Sequence, residues 1–261
     1  MLGFSSAAEV YERARPDYPQ AAIDWLAERL PLEPGCTVID LAAGTGKLTR
    51  QLLPTGATVI AVEPLAEMRA ELERAVPSVQ ALEGVAEAIP LANASADAAT
   101  VAQGFHWFEV ERAAQELHRV LRPGGALALI WNARDDADPL HRAIDEILDP
   151  LRRSAPAAKE RHWKAPLERT GFFAGPDERV FRHVQRVDAD GLANRFASVS
   201  FIAALPEARR RQVLAEIRTL IEGREEPFDF PYRTRVYVYD RKQVPRTRDH
   251  PSNARGSSNE G

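Results

Sequence analysis

The sequence predicts a doubly wound α/β fold, on three observations. Apolar strand-like runs alternate with helical patterns between residues 20 and 131, which is how a parallel sheet covered by helices on both faces reads. The run Val38-Ile39-Asp40-Leu41-Ala42-Ala43-Gly44-Thr45-Gly46-Lys47 passes from an apolar strand through an acid into a small-residue turn, and from there into a helix. A second apolar strand, Thr58-Val59-Ile60-Ala61-Val62-Glu63, follows and also ends in a carboxylate. Together the two strands read as the nucleotide end of such a sheet: the turn lets backbone approach a ligand, and the second acid can accept both ribose hydroxyls.

The elements follow in order. Residues 1–19 are a lead-in rich in aromatics and arginines, broken by Pro16 and Pro19. A helix follows because Ile23, Leu26, Ala27 and Leu30 share one face, and Pro31 and Pro34-Gly35 end it. Strands are expected at 37–41, 58–63, 79–83, 97–102 and 126–131, with helices at 46–53, 65–75 and 109–121. Beyond residue 132, a helix is expected over 139–152 behind the acids Asp135, Asp136 and Asp138. After a loop from Arg152 to Lys159 come a helix at 160–170 ended by Gly171, a strand at 178–187, helices at 190–197 and 206–222, and a strand at 235–239. From Arg241 on, the polar composition predicts a disordered tail.

Composition narrows the function. The chain has 261 residues, 44% of them hydrophobic, enough for one large α/β domain with a cap or two small domains. A net charge of −4 argues against a general nucleic-acid binder, which needs a positive surface. The single cysteine, Cys36, excludes an intrachain disulfide framework and a Cys-rich metal site, and its place before the first strand predicts a small buried residue. The N-terminal residues lack a charged region followed by an apolar run, and no segment reaches transmembrane length. The expectation is a cytoplasmic protein without membrane or nucleic-acid partners.

Three ligands compete for the turn. A phosphate-binding Gly-x4-Gly-Lys-Ser/Thr loop fails, because Leu48 follows Gly46-Lys47 and Leu41 stands five before Gly46. A dinucleotide turn, Gly-x-Gly-x-x-Gly, is weakened by Thr49 at the third glycine. S-adenosylmethionine carries no phosphate and needs small residues plus an acid for its ribose. Asp40, Gly44, Gly46 and Glu63 meet those needs. The plainer alternative is a tight strand–helix turn that binds nothing.

Five segments stand in a telling order: Asp40–Gly46, Val62-Glu63-Pro64, Glu83-Gly84-Val85-Ala86-Glu87-Ala88-Ile89-Pro90, Gln103-Gly104-Phe105-His106-Trp107-Phe108, and Leu121-Arg122-Pro123-Gly124-Gly125. In these the chain resembles the class I S-adenosylmethionine-dependent methyltransferases, specifically the type 11 small-molecule group. The resemblance covers residues 8–132 closely and extends more loosely to residue 240. It implies a Rossmann-like, mostly parallel seven-stranded sheet with an antiparallel last strand and helical cap insertions, and it supports the placement of the alanine-rich strand 97–102. It also implies a domain plan: an N-terminal lid (1–19), a cofactor-binding core (20–135), the rest of the sheet plus a helical substrate cap (136–240), and the tail (241–261).

The resemblance also assigns roles. Glu63 accepts from the ribose hydroxyls, with Pro64 ending the strand; the simpler alternative is an exposed strand-end acid. Asp40 organises the turn and faces the methionine amino group, unless it only bonds turn amides. Ala42, Gly44 and Gly46 form the turn. Met68 packs on the adenosine or in the core. Many family members carry an Asp where this chain has Val85, which leaves Ala86 and Glu87 for the adenine. Gln103 and Phe105 line the methionine side. His106 is the candidate catalytic base, since histidine titrates near neutrality; its alternative is to cap a helix or pack beside Trp107. Tyr11 and Arg13 or Arg15 belong to the lid, with an arginine for the methionine carboxylate and a tyrosine over the sulfonium. Beyond the resemblance, Trp131, Asn132, Phe172, Phe173 and Tyr232 are further pocket candidates or core aromatics, and Arg152, Arg153 and Arg195 either favour an acidic acceptor or form solvated helix surface. No metal is expected, because the sulfonium is already activated and the protein has mainly to position reactants and exclude water. The expected activity is methyl transfer to a small molecule. A noncatalytic S-adenosylmethionine-binding protein and an NAD-type oxidoreductase are the alternatives, the latter lacking a Tyr-x3-Lys pair.

Overall fold

The computed structural model describes residues 15–153 and 163–243. Helix α1 (Gln20–Arg29) leads into β1 (Thr37–Leu41), α2 (Lys47–Leu52), β2 (Thr58–Val62), α3 (Ala66–Ala75) and β3 (Gln80–Leu82). Then come β4 (Ala96–Ala102), α4 (Val110–Val120), β5 (Leu121–Arg134), α5 (Pro139–Arg153) and α6 (Lys164–Arg169). The chain closes with β6 (Phe173–Val187), α7 (Ala189–Ala197), α8 (Ser200–Ala203), α9 (Glu207–Thr219) and β7 (Phe228–Arg241).

The seven strands form one sheet in the order β3-β2-β1-β4-β5-β7-β6. Strands β1 to β5 pair in parallel, and β7 inserts antiparallel between β5 and β6. The chain therefore reverses direction between β1 and β4, and ligand crevices form at such a switch point, outside the carboxyl ends of the strands.

The two-residue period of a strand sorts the core onto two faces. Ile39, Leu41, Leu127 and Leu129 face α4, whose Ala113, Ala114, Leu117 and Val120 are fully buried. Val38, Ala98, Ala126, Ala128 and Ile130 face the other way, onto Ile23, Trp25 and Leu26 of α1 and Leu48 and Leu52 of α2. The β4 alanines that make it a poor strand by propensity are fully buried between these layers at Ala98 and Ala99, where small side chains admit close helix packing. A third core belongs to the cap: Leu140, Ile144 and Leu148 of α5, Leu192 and Phe196 of α7, and Val213 and Ile217 of α9 close over Phe228, Phe230 and Tyr232.

The expected elements are present, with shifted bounds. The last two strands are much longer than the segments 178–187 and 235–239, because β6 and β7 pair continuously from Phe173↔Arg241 to Val187↔Phe228 apart from one irregularity. The extension of β7 carries its own alternation, Phe228, Phe230, Tyr232 and Thr234 being buried between more exposed neighbours. The last strand runs two residues past Tyr239, into the segment expected to be tail. Arg241 ends β7 and donates from Nε to the His118 carbonyl at 3.0 Å, and the Lys242 amide donates to the Phe172 carbonyl at 2.8 Å. The expected tail residues 244–261 lie outside the described residues. Cys36 is half-buried, because it sits in the turn before β1. No described helix is long and apolar enough to cross a membrane, and no metal-ligating cluster of three or more His, Cys, Asp or Glu occurs among the described residues.

Candidate functional site

A cleft opens at the carboxyl ends of β1, β4 and β5. The described residues lining it are Arg15, Pro16, Tyr18, Ala42, Ala43, Gly44, Thr45, Lys47, Leu48, Ala102, Gln103, Asn132 and Arg195. Its floor is strained backbone. Ala42 just past β1 (φ 55°) and Gln103 just past β4 (φ 62°) are non-glycine residues in the left-handed region, where strain concentrates at functional sites. The Gln103 amide donates to the Ile130 carbonyl at 2.9 Å, which pins this turn to β5.

The two turn glycines do different work. Gly44 (φ 59°) has nothing within 4 Å of the place where a side chain would begin, so its open side is free for a ligand. Gly46 (φ 85°) starts α2, and a Cβ there would lie 3.0 Å from Leu72 Cγ and 3.3 Å from Val76 Cγ2. Gly46 thus serves the packing of α2 on α3 and does not line the cleft.

Glu63, the residue just past β2, is a buried carboxylate. Its Oε2 accepts from the Gly44 amide at 2.9 Å and its Oε1 from the Leu65 amide at 2.9 Å. The acid therefore fixes the first turn as well as standing at the second strand's end. Pro64 and Leu65 beyond it are exposed, as is Val85 across the β3–β4 loop.

Asp40 is placed otherwise than expected. It is fully buried, Oδ2 accepts from the Thr49 hydroxyl at 2.5 Å, and Oδ1 accepts from the Thr100 hydroxyl at 3.0 Å. Its carboxylate is locked between β1, α2 and β4 behind the cleft wall. Burial pushes its pKa up to about 6; the hydroxyl bonds hold it down in part, and the Glu63 charge adds a smaller upward push. Sequence reasoning missed both threonines. The signal for Thr49 was present: it stands where a dinucleotide turn has its third glycine, and its hydroxyl satisfies the acid.

Several other expected site residues sit in the structure rather than on the cleft. Phe105 is fully buried, edge-on to Phe108 and Trp163, and does not line the cleft. Ala86 is in the same core. Glu87 accepts from the Glu109 amide at 2.7 Å, so its carboxylate ties the β3–β4 loop to the start of α4. Met68 is half-buried on α3. His106 packs on Trp107, with ring centroids 4.9 Å apart, and is not among the cleft-lining residues. Trp131 stacks on Trp163, Phe173 and Tyr232 are buried, and Phe172 is half-buried against His118. Tyr11 and Arg13 lie outside the described residues.

The described part of the lead-in crosses the cleft mouth. Tyr18 exchanges two hydrogen bonds with the Gln51 side chain, at 3.0 and 2.7 Å, and Asp17 pairs with Lys47 at 3.2 Å. Asn132 Nδ2 donates to the Asp17 carbonyl at 3.2 Å while its Oδ1 accepts from the Thr234 hydroxyl at 2.5 Å. Arg15 reaches the cap, donating from Nε to the Ser198 hydroxyl at 3.2 Å. Arg195 of α7 completes the wall from the cap side. It is buried, and its Nε donates to the Tyr232 hydroxyl at 3.2 Å.

Comparison with known proteins places the chain in a family. A profile described as a methyltransferase domain, of type 11, matches residues 39–129. The chain is 35% identical over 220 residues to an uncharacterized methyltransferase-like protein of Schizosaccharomyces pombe, covering 82% of this chain and 84% of that one. It is 50% identical over 155 residues to an uncharacterized methyltransferase of Mycobacterium tuberculosis; that match spans 58% of this chain and 62% of the relative's length. A solved structure described as a type II methyltransferase, from Anaeromyxobacter dehalogenans, superposes with a TM-score of 0.63 at 26% identity, covering 87% of this chain and 96% of that one. The chain belongs to the class I S-adenosylmethionine-dependent methyltransferases, with a type 11 methyltransferase domain.

Proposed function

We propose that this protein transfers a methyl group from S-adenosylmethionine to a small-molecule acceptor. The observation that carries the reading is Glu63, a buried carboxylate at the end of β2 bonded to the amide of Gly44, whose open side faces the cleft. A carboxylate offers about four acceptor sites. Two are taken by the Gly44 and Leu65 amides, and the remainder suit a pair of ribose hydroxyls. The exposed apolar side chains of Leu65 and Val85 suit the faces of an adenine ring. Ala42, Gly44 and Gln103 leave room for the amino-acid end of the donor, and Asp40 serves it indirectly by bonding Thr49 and Thr100 beneath the turn.

A dinucleotide fits less well. Its turn uses a third glycine for close helix–strand packing beside a pyrophosphate, and here Thr49 fills that place with its hydroxyl committed to Asp40. Bound S-adenosylmethionine supplies an activated methyl group on sulfur for in-line displacement. The chain's part is to orient and to exclude water: Gln103 and Asn132 border the place where the acceptor would approach, and residues 15–18 cover the mouth. We assign acceptor selection to residues 136–240, whose helices close over the sheet.

Calorimetry with S-adenosylhomocysteine tests the reading. Glu63→Ala removes two charge-assisted ribose bonds at about 1.5–3 kcal/mol each, so an affinity loss of at least about a hundredfold is expected. An unchanged affinity in a variant with the parent's circular dichroism and melting profile would defeat it.

A further inference from the structure

We propose that Arg195 holds an oxyanion of the methyl acceptor, so that the protein acts on small acids carrying a carboxylate or phosphate. The inference rests on the methyltransferase reading above and adds the substrate class.

Arg195 is a buried cation, 8% exposed, that lines the cleft. Its Nε is used by Tyr232, and its buried Nη1 has no hydrogen-bond partner among the described residues. It makes no ion pair with any described carboxylate, whereas neighbouring arginines do: Arg134 pairs with Asp145, Arg152 with Asp145 and Asp149, and Arg233 with Asp135. Buried charges are ordinarily paired, and a guanidinium with a spare donor matches carboxylate and phosphate oxygens. The surroundings point the same way. The described cleft-lining residues include Arg195, Arg15 and Lys47, the last paired with Asp17, and no aspartate, glutamate or histidine. Arg134, beside the same Phe196 ring, also keeps a buried Nη1 without a partner among the described residues.

Strand order separates this cation from the donor's ribose. Glu63 stands just past β2, while the Tyr232 that orients Arg195 stands on β7, four strands along in the order β2-β1-β4-β5-β7. At the usual strand spacing those two strands lie roughly 19 Å apart across the sheet, and Arg195 reaches from the β7 side into the cleft it shares with Gly44. A donor anchored by its ribose at Glu63 lies over β1 and β4, which leaves the β5 and β7 side for the second reactant. An oxyanion acceptor also has no proton to give up before it attacks, which suits a cleft whose described lining offers no carboxylate or imidazole base.

The test is binding to the S-adenosylhomocysteine-loaded full chain, read by calorimetry. The probes are glutarate, its diamide, and a short alkyl phosphate. Glutarate or the alkyl phosphate is expected to bind at least tenfold more tightly than the diamide, and which of the two binds tells carboxylate from phosphate. Arg195→Gln should abolish that preference and leave S-adenosylhomocysteine affinity within about threefold; Arg195→Lys, which keeps the charge, should restore part of it. Because Gln can still bond Tyr232, the melting profile of both variants serves as the folding control, and cofactor affinity of each is measured beside it. Equal binding of acid and diamide by the loaded parent would overturn the proposal. So would a tenfold loss of S-adenosylhomocysteine affinity in Arg195→Gln, which would give the arginine to the donor's carboxylate. Failure of the parent to bind S-adenosylhomocysteine at all would instead sink the methyltransferase reading beneath it.

Discussion

Replacing Asp40 with Asn should change how stability depends on pH, in the direction set by burial of its carboxyl. The Asp40 carboxyl is fully buried and its pKa is raised from 3.8 to about 6, burial being the largest cause. A group that holds its proton more tightly when folded favours folding at low pH. Its contribution is full below about pH 4, the unfolded value, and is lost as pH rises through the folded value near 6. At about 1.4 kcal/mol per pH unit of displacement, the loss amounts to about 3 kcal/mol by pH 8. Asn cannot ionise, yet it can bond both Thr49 and Thr100, since its amide donates and accepts and a hydroxyl can do either. Urea unfolding of parent and Asp40→Asn at several pH values between 4 and 8 gives the difference directly, and titrations common to both cancel. The variant should gain about 3 kcal/mol on the parent between pH 4 and pH 8, whatever the fixed cost of the exchange. A flat difference, or one that moves against the variant as pH rises, would refute the reasoning.

Three further substitutions carry expected outcomes. His141 is fully buried against Phe230, and burial pushes its pKa down to about 4, so its contribution is present above the unfolded value of 6.5 and lost as pH falls. His141→Phe should therefore gain about 3 kcal/mol on the parent between pH 7.5 and pH 4, opposite in sense to Asp40→Asn, read by the same unfolding series. Gly46→Ala meets Leu72 and Val76 in a left-handed conformation and should cost about 2–3 kcal/mol of stability. Gly44→Ala meets nothing, so it should cost only about 1–2 kcal/mol while reducing cofactor affinity, which separates the packing glycine from the ligand-facing one in one pair of measurements.

Much of this fold was legible because local patterns and tertiary structure agree. The β1 turn, the acid after β2 and the alternating elements up to β5 each announce themselves over a few residues. The alanine-rich β4 was not legible by propensity, because what makes it a strand is burial between two helix layers. The lengths of β6 and β7 were missed because each is extended by the other's pairing. Around the cleft, the places of Glu63 and Gly44 at a strand end and a turn were readable from sequence, whereas Asp40, Gly46, Phe105 and Glu87 act through partners that sequence does not display: Thr100, Leu72, Trp163 and the Glu109 amide. Arg195 could be noticed but not weighed. Its significance depends on Tyr232, 37 residues away, and on the absence of a described carboxylate beside it.

The account stands most directly on the identity of the ligand in the β1–β4 cleft. Titrating the purified protein with S-adenosylmethionine, S-adenosylhomocysteine and NAD in separate calorimetric experiments tests it. The account predicts saturable one-to-one binding of both sulfur nucleosides and none of NAD. Binding of NAD, or no binding of either sulfur nucleoside by a protein with an intact cooperative melting transition, would contradict it.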